Sequence, residues 1–173
     1  MNVLILNGSP RPQGNTAKMI NAFRESAESK GHKVSVYDVC RKNIHGCLAC
    51  EHCHIIEKGI CVQKDDMQEV YDLLKDADML ILASPIYYHG ISGQLKCTID
   101  RFYAALYPKE HCHLSKIAMF LCSGDKDMYT GAEFSFKGDF LDYLSLEDKG
   151  IYTCAGEMKE EVLEQVRRLA EEL

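Results

Sequence analysis

The sequence contains no apolar segment of the roughly 20 residues that a membrane-spanning helix requires. Its first residues, Met1-Asn2-Val3-Leu4-Ile5-Leu6-Asn7-Gly8, lack the basic flank and the long apolar stretch of a secretory signal. A cytoplasmic protein with no membrane partner is therefore expected. Positive charge is also scarce. Twenty Lys and Arg face 26 Asp and Glu, for a net charge of -6, and no cationic run interrupts that balance. A nucleic-acid surface is excluded on this ground. Internal repeats, low-complexity tracts and interdomain linkers are absent, so residues 1–173 are expected to form a single domain. Several well-known site chemistries are missing too. No Gly-Lys-Ser/Thr follows the first glycine-containing loop, so it is not a Walker loop. No Gly-x-Gly-x-x-Gly occurs there either, which argues against a dinucleotide. Gly8-Ser9-Pro10 is not a nucleophile elbow, and no Ser-His-Asp arrangement is apparent.

What is present is an alternation of strand and helix patterns. Val3–Leu6, Val34–Tyr37, Met79–Ala83, Ile117–Leu121 and Ile151–Cys154 have the pattern of strands, most of them apolar throughout as in buried parallel sheets. Helical spacing joins Thr16, Ile20, Phe23 and Ala27, with Lys30-Gly31 as the stop. It recurs over Met67–Leu74, over Leu95–Leu106, across 132–146, and from Val162 to Leu173. Five strand–helix alternations predict an α/β protein: a flavodoxin-like three-layer sandwich with a five-stranded parallel sheet in the order 2-1-3-4-5. Ligands of such sheets sit beyond the carboxyl ends of the strands where the order reverses, at the loops after strands 1, 3 and 4.

The first of these loops reads Gly8-Ser9-Pro10-Arg11-Pro12-Gln13-Gly14-Asn15-Thr16 and runs straight into a helix. Amides at a helix start favour an anion. Gly14 allows a close backbone approach, Ser9, Asn15 and Thr16 add short polar donors, and Arg11 adds a charge-assisted bond. The combination suits a phosphate monoester. The alternative is a turn capped by Asn15 or Thr16, with nothing bound.

The loop resembles that of the NADPH-dependent FMN reductase branch of the flavodoxin-like superfamily, whose pattern is Gly-Ser-x-Arg, a spacer, then Asn-Thr or Asn-Ser. Ser84-Pro85-Ile86-Tyr87-Tyr88, Gly93-Gln94-Leu95-Lys96 with Asp100-Arg101, and Ser123-Gly124 are similar to the family's further motifs. The resemblance implies FMN, with its phosphate at Ser9, Arg11, Gly14, Asn15 and Thr16. It implies a flavin ring between Pro85, Ile86, Tyr87 and Tyr88 on one side and Ser123 and Gly124 on the other. It further implies an oxidoreductase in which NAD(P)H or a small redox protein supplies electrons to FMN. These pass to a quinone, a flavin, an aromatic acceptor or an iron–sulfur cluster. The flavin carries the chemistry, so no catalytic side chain is expected. An electron carrier without a substrate of its own, or a metal-binding or redox-sensing module, is the competing expectation. A homodimer or homotetramer is also implied, with Phe102-Tyr103-Ala104-Ala105-Leu106-Tyr107 as either interface or core.

Nine cysteines in a chain expected to be cytoplasmic point to ligation, redox thiols or burial rather than structural disulfides. Residues 40–65 hold five of them and no long periodic pattern, as expected of a functional insertion loop. Cys47-x2-Cys50-x2-Cys53-x7-Cys61 can wrap one metal centre. This segment resembles iron–sulfur flavoproteins of the same superfamily, which implies a [4Fe–4S] cluster beside FMN. Zinc on the same thiolates or on His52 or His54, and an empty or redox-active loop, remain open. Cys122 and Cys154, at the ends of apolar strands, are expected to be buried. His111-Cys112-His113 is expected to be a solvated loop.

Overall fold

The computed structural model describes residues 1–106 and 112–173; Tyr107 and His111, named above, lie outside them. The sheet begins with β1 (Asn2–Asn7), which pairs in parallel with β2 (Lys33–Tyr37) on one side and β3 (Met79–Tyr87) on the other. A two-residue strand β4 (Gly90–Ile91) folds back antiparallel on β3. The sheet continues through β5 (Lys116–Ser123) to β6 (Glu147–Ala155). The parallel strands thus run β2-β1-β3-β5-β6. The sheet is six-stranded with one antiparallel member, which corrects the expected five-strand order 2-1-3-4-5. Strand β4 holds only two residues, too few to leave a periodic signal.

The apolar runs divide by alternation. Val3 and Ile5, Met79 and Ile81, and Ala118 and Phe120 face one layer. Leu4 and Leu6, Leu80 and Leu82, and Ile117, Met119 and Leu121 face the other. This is the period-2 geometry of strands buried on both faces. The first layer holds α1 (Asn15–Ser29) and α7 (Glu160–Glu171). Helix α1 ends as the sequence predicts. Gly31 adopts φ +84°, the His32 amide donates to the Ala27 carbonyl, and the Gly31 amide to that of Glu28, a Schellman motif.

The second layer is more broken than the sequence suggests. Within 40–65 lies a one-turn helix α2 (His52–Ile55), and α3 (Met67–Lys75) follows. The helix expected over 95–106 is two, α4 (Gly93–Asp100) and α5 (Tyr103–Leu106), because the chain turns at Arg101 to bury that side chain. The helix expected over 132–146 is α6 (Thr130–Ser135) followed by a π-helix over Phe136–Tyr143. Strand β6 starts at Glu147, four residues before the apolar run. Its polar end pairs beside Lys116, and the register shifts where Gly150 takes φ +97° against the Tyr152 ring. No helix among the described residues is long and apolar enough to cross a membrane.

Phe23 of α1 is fully buried and meets Phe120 of β5 edge-on, ring centroids 5.8 Å apart. Phe23→Ala is expected to lower the unfolding free energy by about 3–5 kcal/mol, read as a lower urea midpoint at unchanged slope.

Candidate functional site

The carboxyl ends of β1, β3 and β5 open into a cleft of about 400 Å³, within the usual size of a small-molecule site. Ser9, Arg11, Gly14, Asn15 and Thr16 line it from the first loop, Pro85, Ile86 and Tyr87 from the second, and Cys122, Ser123 and Gly124 from the third. A larger groove of about 720 Å³ runs along β2 and α3. It reaches Asn2 and Lys33, at the amino ends of their strands, so it lies away from the end where such sheets bind ligands.

The first loop is held from beneath. The Gly8 amide donates to the Ala83 carbonyl at 2.8 Å, and the Ser9 amide to Asn7 Oδ1 at 3.0 Å. Asn7 Nδ2 in turn donates to Asp38 at 2.8 Å. A Cβ on Gly8 would stand 2.4 Å from Ser92 Oγ, so only glycine lets this turn meet the cap of α4. The cap of α1 is Gly14, and no side chain caps the helix. The capped-turn alternative with Asn15 or Thr16 is thereby corrected. Asn15 instead donates its side-chain amide to the Gly156 carbonyl at 2.7 Å. Thr16 is buried with its hydroxyl against the Cys122 thiol. Among the described residues, nothing accepts from the amides of Asn15, Thr16 and Ala17, and the Arg11 guanidinium makes no ion pair. Open amides, no acid in the first turn and a free cation fit a phosphate group.

The second loop is anchored by Ser84, whose Oγ accepts from the Ser92 amide at 2.9 Å. Tyr87 is half-exposed at the cleft, whereas Tyr88 stands wholly clear of it. Tyr88 and His89 form the β3–β4 turn, both with positive φ (50° and 63°), a strained choice for side chains of this size. The His89 carbonyl packs so closely on Gly131 that a Cβ there would stand 2.6 Å from it. In the third loop, Ser123 Oγ lies 2.8 Å from the Tyr129 hydroxyl. The sequence reading missed Cys122 and Gly156 as lining residues. Cys122 and Cys154 pair in register on β5 and β6 and are buried as expected, and burial pushes the Cys122 thiol up to about 12. Gly156 was legible only as a glycine just past the last strand.

The four loop cysteines share one segment without closing on a point. Cys47 and Cys50 are exposed, and Cys53 and Cys61 are half-buried against the second core. No group of three or more His, Cys, Asp or Glu among the described residues is set to hold a metal ion. The backbone is nonetheless bent around the thiols. Ala49 and Glu51 flank Cys50 in the left-handed region (φ 51° and 56°), and the Ala49 amide points at Cys47 Sγ, 3.4 Å away. His54 stacks on Tyr103 with centroids 3.9 Å apart and bonds its carbonyl, which ties α2 to α5. At the end of the segment, Asp65 forms a two-pronged ion pair with Arg101 at 2.9 and 3.1 Å.

The profile of the family described as NADPH-dependent FMN reductase matches residues 1–146. An iron–sulfur flavoprotein of Methanocaldococcus jannaschii is 36% identical over 137 residues, 79% of this chain and 68% of that one. One from Archaeoglobus fulgidus is 43% identical over 94 residues, 54% of this chain and 42% of that one. The chain spans about half the length of most of the curated relatives it matches. A solved NAD(P)H:quinone oxidoreductase from Methanothermobacter marburgensis superposes with a TM-score of 0.74 over 98% of this chain and 94% of that one. At 18% identity it shows the flavodoxin-like fold alone.

Burial alone would raise the Asp65 carboxyl. The Arg101 guanidinium and the amides of His45 and Met67 outweigh it and hold the group down at about 2. A carboxyl depressed by folding stabilises fully above its unfolded value of about 4, and that stability is lost as pH falls through the folded value. Urea midpoints measured from pH 6 down to pH 2 are expected to fall most steeply between about 4 and 2. Asp65→Asn should flatten that part of the curve.

Proposed function

Because the chain belongs to the NADPH-dependent FMN reductase family, we propose that it is an FMN-dependent oxidoreductase fed by NAD(P)H or a small redox protein. The observation that carries this reading is the meeting of three strand-end loops in one cleft whose helix start is left uncapped. When bound, FMN supplies the hydride and electron chemistry. The chain's residues bind and orient it. The open amides of α1, the Ser9 hydroxyl and the Arg11 guanidinium hold the phosphate. Asn15 acts at one remove, by tying the loop to Gly156. Ile86 and Tyr87 would hold the ring, with Pro85 beside them in the same loop and Ser123 and Gly124 lining the cleft from the third loop. A quinone, a flavin or another flat aromatic acceptor suits the open side of this cleft.

A second element has its own support. Cys47, Cys50, Cys53 and Cys61 are the thiols that would hold a [4Fe–4S] cluster once drawn together, and such a cluster would supply one-electron chemistry. The strained backbone around Cys50, the amide aimed at Cys47 and the relatives named iron–sulfur flavoproteins support it. The strong exposure of Tyr88 and Phe134 supports a homodimer or homotetramer in which a neighbouring copy covers them.

Purified protein is expected to carry flavin absorbance or to take up FMN on titration. NADH or NADPH should bleach it in stopped-flow mixing. Arg11→Ala should weaken FMN binding about tenfold, the worth of one charge-assisted bond at an exposed position. Protein that neither contains nor takes up FMN would sink the reading, and bound flavin that neither nucleotide reduces would favour an electron carrier.

A further inference from the structure

Three sulfur-bearing side chains meet at the wall of the cleft, on the face of the sheet opposite the one that Cys53 and Cys61 pack against. Cys122 of β5 and Cys154 of β6 are register partners on adjacent parallel strands. Both face the layer that holds α1. Neighbouring strands stand about 4.8 Å apart, so the two thiols lie side by side. Met19 of α1 approaches the pair, its Sδ 3.6 Å from Cys122 Sγ. All three residues are buried, and Cys122 also lines the cleft, which gives the group a way in from solvent. The Asn15 side-chain amide points an N–H at Cys154 Sγ, 3.5 Å away, and the Cys154 thiol points at the Glu157 carbonyl at 3.8 Å. Among the described residues, no carboxylate or imidazole bonds to either thiol. Strand spacing alone would permit a disulfide. Burial, however, raises both thiols above their usual range, so they keep their protons and resist oxidation.

We propose that Cys122, Cys154 and Met19 form a site for one soft monovalent metal ion, with Cu(I) as the occupant its chemistry favours. The donor set selects the class of ion. Two thiolates and a thioether suit Cu(I), whereas Zn(II) takes four ligands from thiolate, imidazole and carboxylate. Sulfurs 3.6 Å apart can both stand about 2.3 Å from one ion, the length of a metal–thiolate bond, with little movement. Binding breaks two S–H bonds and forms two metal–thiolate bonds, while the Met19 sulfur gives a lone pair. The two protons leave to solvent, and neither metal nor sulfur changes oxidation state. The ion drives the deprotonation that burial withholds. The Asn15 N–H and the start of α1 favour the negative charge of the complex. Asn15 also links the site to the first loop, since its side-chain amide reaches both Cys154 and the Gly156 carbonyl. The inference is independent of FMN and of the four loop cysteines.

The test follows the Met19 methyl group by nuclear magnetic resonance. Full-length protein is labelled with methyl-13C methionine and purified without oxygen, its nine thiols counted as reduced. Met19→Leu, which conserves volume, assigns the signal among the seven methionines. Cu(I), delivered as its acetonitrile complex, should move that signal to a plateau, and Zn(II) should leave it in place. Metal on Cys53 or Cys61 does not mimic this, because those side chains pack on the opposite face of the sheet. Cys122→Ser and Cys154→Ser should each weaken the hold by more than about tenfold, since loss of a partner even one step removed from a metal costs that much. The hold is read as the concentration of a Cu(I) chelator that returns the signal halfway, and thermal melting checks that each variant is folded. A Met19 signal unmoved by excess Cu(I) in the wild-type protein overturns the inference, whether or not the variants fold. An undiminished hold in either folded serine variant, or an equal shift with Zn(II), overturns it as well.

Discussion

The reversal of strand order at β1 governs the rest of the structure. β1 lies between β2 and β3, and the chain reaches these neighbours on opposite faces of the sheet, through α1 on one and α3 on the other. Right-handed crossovers allow no other arrangement. The loops leaving β1 and β3 therefore diverge, and the space between them is the cleft. Everything that shapes the site is an adjustment within that gap. Gly8 lets the first loop lie against the cap of α4, Ser84 and Ser92 tie the second loop to the same cap, and Asn15 closes the rim toward Gly156.

How much of this was legible in the sequence depends on the range of the interaction concerned. Buried parallel strands appear as short apolar runs such as Met79–Ala83, because both faces of each strand need apolar cover. The Gly31 stop was legible for the same reason, since it is local. The tie of Asn15 to the last strand's end is not legible locally, because its partner lies 141 residues away in the chain. Arg101 was visible as a motif residue, but nothing nearby in the sequence announces that it will be buried. Its partner Asp65 is 36 residues distant, and the break between α4 and α5 follows from that contact rather than from helix propensity. Tyr88-His89 shows a different limit. A two-residue hairpin turn ordinarily calls for glycine or asparagine, and here tertiary contact with Gly131 holds bulkier residues in the left-handed region.

The cysteine segment depends on few contacts for its length. Its middle exposes Leu48, Ile55 and Ile56, so little apolar burial secures it. What secures it is polar and sits mainly at its edges: Asp65 with Arg101, the Asn43 amide on Asp66 and the His45 amide on Asp65, with His54 on Tyr103 between. A buried ion pair is seldom worth more to stability than well-packed apolar side chains of the same volume, since two charges must first be stripped of water. Stability therefore does not account for Arg101 and Asp65. What the pair provides is a fixed place for the segment relative to α4, which an apolar contact, lacking direction, would specify less sharply.

That fixed place connects the two halves of the molecule. Helix α4 begins at Ser92, which caps it, accepts the close approach of Gly8 and meets Ser84, so its start is locked to the cleft. It ends at Arg101, which is locked to the cysteine segment. Eight residues at 1.5 Å each make a rod of about 12 Å, with no proline to bend it. The distance between cleft and segment is thus set by a stiff element held at both ends rather than by the loop between β2 and α3. Displacement of the segment at Arg101 strains α4, and through Ser92 it strains the first and second loops of the cleft. A chain with a pinned segment and a rigid strut holds the two places at one separation, which is the mechanical requirement for any exchange between them.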